Sequence, residues 1–415
     1  MVGLLCLAHF AGYADRAVPA VYAPELKLAF QLSDAQLGAL QGLPFVISYV
    51  LATLWAGRQR KSLPRPGRWL GLSVLTWTLA GALFAVAPSY EALLGARVLF
   101  GFGQAAFAPM ALVLLAQARP VLGVQPIGAF TSGSAAGRSG GLLLGGALLA
   151  IVTGLGISDV IAPWRLAAMV MLVPNILLAA ALFSSRVPVA GTVGRQPGVV
   201  QAARWALRRG AVFAPHILAA GGLVMIVQSL GAWAPSIMAR GFDLATATAG
   251  LLVGLAVLVG APVGHLGAGW LAARPGFAAR GPAMLLVAGA ILSALAAAGL
   301  AAAPSLWLAV AALTVLIMAS GGGAAIALIS LQPITPEPLT RGMNALFLVC
   351  VTVLGTALGP LVTGLVSDRL IGSDGSLTIA LLIVVSGAAS VVVVAASLGG
   401  AAWRRDATLS VRSRT

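Results

Sequence analysis

Charge is what this sequence has least of. Only 8% of its 415 residues are Asp, Glu, Lys or Arg, where a water-soluble domain carries about 25%. So few charges cannot clothe a globule of this size in polar surface, so the solvent of this chain must be lipid. Two cysteines, Cys6 and Cys350, lie in separate apolar runs and offer neither a disulfide framework nor a thiolate metal site. Three histidines, His9, His216 and His265, are too scattered for an HExxH-type pair. With no paired carboxylates and no nucleophile–base set, an enzyme is not expected, nor a metal or any other cofactor.

What the chain has is apolar length. Hydrophobic residues make up 60% and the mean hydropathy is +1.01. A spanning helix needs roughly 20 apolar residues. Apolar runs fall near 2–24, 37–57, 69–87, 92–117, 127–154 and 164–183, then near 214–237, 247–273, 282–302, 305–330, 342–367 and 376–402. The sequence therefore predicts an all-α membrane protein of twelve transmembrane helices. The first run holds an Asp-Arg pair and lacks a basic leader and cleavage site, so it is expected to stay as a helix.

The net charge of +15 reads as topology rather than nucleic-acid binding. With the N-terminus inside, the inner loops and tail hold eighteen Lys and Arg, from Arg58 and Lys61 to Arg404, Arg405, Arg412 and Arg414, while the outer loops hold only Lys27, Arg240 and Arg369. That is the positive-inside pattern, and it places both termini in the cytoplasm. Aromatics near the helix ends (Trp55, Trp69, Trp164, Trp307, Trp403) are expected to anchor at the membrane interface.

The chain also repeats itself. A shift of 212 places Phe30 on Phe242, Leu32 on Leu244, Ala35 on Ala247, Gly38 on Gly250, Gly42 on Gly254 and Gly57 on Gly269. Ala87-Pro88-Ser89 returns as Ala303-Pro304-Ser305, and Gly128, Gly141 and Gly145 return as Gly342, Gly355 and Gly359. The expected organisation is a six-helix bundle over 1–183, a basic cytoplasmic linker over 184–213, a second six-helix bundle over 214–403 and a tail over 404–415. Within the linker, Gln201 to Arg209 reads either as a short amphipathic helix with Arg204, Arg208 and Arg209 toward headgroups, or as a solvated basic stretch. Two parallel six-helix repeats are the architecture of the major facilitator fold, which holds its substrate near the bilayer midplane.

A charge inside a membrane is costly, so each one is a functional candidate. The deep ones are Asp15 and Arg16 in the first helix, Arg97 in the fourth and Arg138 in the fifth. Asp15 is the only deep carboxylate and the candidate proton carrier. It and Arg16 are neighbours about 100° apart on the helix, so Asp15 is expected to meet Arg97 or Arg138 instead. Arg97 and Gln104 are seven apart on one helix face and form a candidate pair for an anionic group. Arg138 interrupts a stripe of Gly133, Gly137, Gly141 and Gly145, with Gly355, Gly359 and Pro360 as its counterpart in the second half. Such stripes let helices approach closely, as a packing seam or a rocking surface. Tyr13, Phe107, Gln228, Trp233 and Asn344 are candidate cavity-lining residues.

Three motifs carry a family resemblance. Tyr13-Ala14-Asp15-Arg16, then Ala96-Arg97-Val98-Leu99-Phe100-Gly101-Phe102-Gly103-Gln104, then Gly364-Leu365-Val366-Ser367-Asp368-Arg369 stand in an order that resembles the Spinster-like branch of the major facilitator superfamily; Trp164-Arg165 fits as well. The resemblance spans the chain and implies a carrier of amphipathic or organic-acid solutes. This sequence departs from the pattern in three places. Gly12 stands where the family has Asn, and Gln104 where it has Glu. The loops Gly57-Arg58-Gln59-Arg60-Lys61-Ser62 and Gly269 to Arg274 lack the Asp of the inner latch, with Ala273 at that position.

The sequence thus points to a secondary active transporter of the inner membrane, acting as a monomer. It would move an organic anion or anionic amphiphile by alternating access, with proton coupling through Asp15. The alternatives are an uncoupled drug or lipid efflux carrier and a non-transporting receptor or assembly protein.

Overall fold

The computed structural model describes residues 1–56, 65–122, 125–156, 158–185, 198–274, 277, 282–370 and 376–412. The loop from Gly57 to Ser62, linker residues 186–197 and Arg280 lie outside them, as do the side chains of Trp55, Arg119 and Arg341. The described residues are helical throughout, with turns between. In the first half the helices are α1 (Val2–Val21), α2 (Ala23–Phe30), α3 (Asp34–Ala56), α4 (Pro66–Val86), α5 (Tyr90–Ala105), α6 (Phe107–Leu122), α7 (Gln125–Gly154), α8 (Pro163–Met171) and α9 (Val173–Ser184). Then come α10 (Val199–Arg208), α11 (Gly210–Gly241), α12 (Thr246–Ala272), α13 (Ala283–Ala301), α14 (Leu306–Leu331), α15 (Thr340–Val351), a π-helical turn over Thr352–Ala357, α16 (Leu358–Leu370) and α17 (Ser376–Arg412).

Eleven described spans are long and apolar enough to cross a membrane by length and composition. The sequence run at 2–24 is α1 with the start of α2; α1 is 20 residues long and holds Asp15 and Arg16. Between 33% and 56% of each span's most apolar window is buried within the protein. The remainder shows large apolar side chains outward, such as Leu79, Leu177, Leu266 and Leu295. That pattern suits a chain whose surroundings are hydrocarbon. Trp69 and Trp307 are exposed as interfacial anchors should be, but Trp164 and Trp403 are 2% and 3% exposed and serve as packing residues. Trp164 is held by Phe30 and Phe84.

The chain forms two compact units, one of Met1–Val193 with Ala234–Leu258, the other of Gly194–Trp233 with Val259–Thr415. In the first unit α1 packs along α7. A Cβ added at Gly137 would lie 2.3 Å from the Phe10 carbonyl oxygen, and one at Gly141 would lie 2.4 Å from that of Ala14. Only glycine lets these backbones meet. The second unit has the counterpart between α11 and the π-turn with α16. A Cβ added at Gly355 there would lie 2.4 Å from Val224 Cγ1, and one at Gly359 would lie 2.8 Å from Ser229 Oγ.

The sequence repeat is also a repeat of geometry. Gln31 and Asp243, 212 apart, are both non-glycine residues in the left-handed region, at φ 51° and 50°. Each lets the next amide reach back to close a helix, Leu32 to the Lys27 carbonyl and Leu244 to that of Ala239, both at 3.0 Å. A left-handed turn at a residue with a side chain costs about 1 kcal/mol, so its recurrence marks a feature of the fold rather than of one loop.

In the linker, α10 buries Ala202 and Ala206 and exposes Arg204, Arg208 and Arg209. Gln201 to Arg208 is thus helical, with its arginines on the exposed side.

Candidate functional site

Asp15 sits mid-helix on α1 and is 5% exposed. It accepts a hydrogen bond of 2.7 Å from Asn175 Nδ2. Asn175 reaches it because the sixth run is broken: α8 ends at Met171, Leu172 turns, and α9 restarts with Pro174 in its first turn. The Asn175 Oδ1 has no partner, and neither has the buried Trp77 indole N–H. No ion pair joins Asp15 to an arginine among the described residues. It does share a wall with Arg97: both line a small cavity of about 20 Å³ between α1, α4, α5 and α8, room for a single water.

Arg97 on α5 is 4% exposed. Its Nη2 donates to the Gln41 carbonyl oxygen at 3.0 Å, while Nε has no partner. Phe45 and Phe100 flank the guanidinium, 5.6 and 5.3 Å away. The expected Arg97–Gln104 pair does not form. Gln104 turns to α1, where its Nε2 donates to the Gly12 carbonyl at 2.7 Å and its Oε1 accepts from Arg16 Nε at 2.5 Å. Arg16 is then wrapped by rings, with Tyr13 at 4.4 Å, Phe45 at 4.3 Å and Tyr49 at 5.6 Å. Asp15 and Arg16 therefore face different neighbours, as their angular separation requires.

Arg138 on α7 is half-buried and has no ion pair among the described residues. Phe107 packs against Trp77 and Phe130, and Phe130 stacks on His9, which leads to Tyr13. The first unit thus carries one connected group of two arginines, one carboxylate, two amides and an aromatic wall, with Arg138 on the α7 helix that packs along α1.

The candidates of the second unit are arranged differently. Gln228 donates to Thr356 Oγ1 at 2.6 Å, and Trp233, fully buried, donates to the Pro360 carbonyl at 3.0 Å. Both tie α11 to the seam around Gly355 and Gly359. Asn344 lies at the start of α15 and accepts from Gln332 Nε2 at 3.0 Å. Asn175, Gln41, Phe45 and Tyr49 are site residues the sequence did not single out. An asparagine behind a proline in an otherwise apolar run was the available signal for Asn175.

The comparisons fit this geometry. Residues 5–360 match the Major Facilitator Superfamily. An "MFS-type efflux pump" of Mycolicibacterium smegmatis is 28% identical over 99% of this chain and 94% of its own length. Among solved structures, a bacterial homologue of the human lysosomal transporter Spinster, in an inward-facing and unoccupied conformation, superposes with a TM-score of 0.82 at 22% identity, covering 99% of this chain and 97% of that one. The nucleoside transporter NupG gives 0.74 at 13% identity over 96% and 98%. The chain therefore belongs to the Major Facilitator Superfamily, as a multi-pass membrane transporter with a Spinster-like fold.

Proposed function

We propose that this chain is a twelve-helix secondary transporter with both termini in the cytoplasm. It moves an organic anion or anionic amphiphile by alternating access and couples that movement to protons through Asp15. The observation that supports this most is the company Asp15 keeps: a buried carboxylate bound by a neutral amide and, among the described residues, by no cation. An ion-paired Asp is held in its charged form, whereas an amide partner serves either form. Nδ2 of Asn175 donates to the carboxylate, and the unpartnered Oδ1 is available to accept from the carboxylic acid after a rotation of the amide.

Arg16, Arg97 and Arg138 leave the group with excess positive charge, which favours an anionic substrate. The aromatic ring set around Arg16 and His9 suits an apolar portion of the same molecule. In reconstituted vesicles, transport of a responsive organic anion should follow an imposed pH gradient. Asp15→Asn should abolish that dependence while leaving substrate-induced thermal stabilisation in place. Full gradient-driven transport by Asp15→Asn would rule out the proton role.

A second reading is uncoupled efflux. The Mycolicibacterium smegmatis relative, described as an efflux pump, favours the outward direction, and the same aromatic wall suits an apolar solute. It expects transport that is indifferent to the pH gradient in both the native and the Asp15→Asn protein.

A further inference from the structure

At the end of the first unit where α3 and α12 begin, five polar residues close on one another. Asp34, the first residue of α3, is 3% exposed. Arg240, near the end of α11, grips it with two bonds, Nη1 to Oδ2 at 3.0 Å and Nη2 to Oδ1 at 2.9 Å. Lys27 of α2 pairs with the same carboxylate. Beside them Thr246, the first residue of α12, donates to Glu25 Oε1 at 3.0 Å.

The arrangement follows the 212-residue repeat. Asp34 and Thr246 are equivalent positions, and each opens a helix just after the left-handed turn described above. The head of α3 holds the tail of the helix before α12, and the head of α12 holds the helix before α3. Each repeat clasps the other, one link ionic and one neutral. Below the clasp the helices close tightly. Ser139 donates to the Gly254 carbonyl at 2.9 Å, a Cβ at Gly146 would lie 2.7 Å from the Ala247 carbonyl, and one at Gly254 would lie 2.7 Å from Leu143 Cγ. This clasp and seam are why Ala234–Leu258 groups with the first six-helix repeat.

We infer that Asp34 and Arg240 form the latch that holds this carrier closed on the outer side, and that the pair must part once in every cycle. The inference rests on the alternating-access reading. A carrier that admits substrate from each side in turn has to separate its repeats at the outer ends, and here the outer ends are joined by a partly buried bidentate ion pair. The inner loops lack the carboxylates that the family uses for the opposite fastening. The charged latch therefore biases the resting protein toward the outer-closed form.

The test needs no substrate, so it stands apart from the question of what is carried. In a background with Cys6 and Cys350 replaced by serine, Leu143→Cys places a thiol in the seam below the clasp. Its labelling by a membrane-impermeant maleimide from the outer side reports opening. Arg240→Gln and Asp34→Asn should each label about tenfold faster than the parent, the effect of removing roughly 1.4 kcal/mol of bias. Arg240→Lys, which keeps the charge, should retain most of the protection. Melting temperatures identify any variant that labels because it has unfolded, and Arg240→Lys then carries the comparison. Folded Arg240→Gln and Asp34→Asn proteins that label at the parent rate would overturn the latch and leave a static ion pair. Transport that proves independent of pH in the Asp15 experiment would leave this result untouched.

Discussion

Gly12 and Gln104 share one space. A Cβ on Gly12 would lie 3.0 Å from Gln104 Nε2 and 3.6 Å from Trp77. The two departures from the Spinster-like pattern are therefore one departure, in which a small residue on α1 makes room for an amide that serves both the Gly12 carbonyl and Arg16. Gly12→Ala should destabilise the protein by about 1–3 kcal/mol through overpacking, measured as a lower melting temperature in detergent. Asn175→Ala acts at the same scale. It strips Asp15 of its amide donor at a site 1% exposed, and an unsatisfied buried partner costs about 1–3 kcal/mol, more for a charged group. Asp15 can relieve that cost by taking a proton. The expectation is that Asn175→Ala proteoliposomes lose transport at high pH more than at low pH. A pH-independent loss would leave Asn175 a merely structural role.

At the scale of the helix, the glycines separate into two kinds. Gly137 and Gly141 touch the α1 backbone, so an added methyl group must push two helices apart. Gly95 on α5 has nothing within 4 Å of where its Cβ would stand. Gly137→Ala and Gly141→Ala should each lower stability by about 1–3 kcal/mol, whereas Gly95→Ala should be neutral or raise it by up to about 1 kcal/mol from helix propensity. Thermal unfolding of the three variants side by side checks this. Arg165 also acts at the helix scale. It donates to the Ala85 and Ala87 carbonyls at 2.6 and 2.8 Å and so closes the C-terminal end of α4, where a cation is favoured. The Trp164-Arg165 motif is accounted for by this cap and by the packing of Trp164.

Across the whole molecule, the ionisable groups of the proposed site lie in the first unit, while Gln228, Thr356, Trp233 and Pro360 in the second pair among themselves as neutral groups. The asymmetry could be read from the sequence, because Asp15, Arg16, Arg97 and Arg138 fall on Val227, Gln228, Leu313 and Thr352 when the repeats are aligned. Replacing Gln228 with Ala should therefore leave the pH dependence of transport unchanged even if the rate falls. A lost pH dependence would place part of the proton path in the second unit.

The sequence by itself determined eleven of its twelve expected spans, the repeat, the close-packed glycines and the identity of the deep charges. Lipid makes apolar length the dominant signal, and the cost of an intramembrane charge singles out each one. Which groups pair was decided only by the tertiary structure. Asp15 meets Asn175 rather than an arginine because the break at Leu172 turns α9 toward α1. Gln104 meets Arg16 rather than Arg97 because Gly12 leaves it room. Asp34 meets Arg240 across 206 positions because two copies of one turn bring their helix ends together. Helical spacing fixes the face a residue occupies, but the crossing and register of neighbouring helices, set by packing, fix what that face meets.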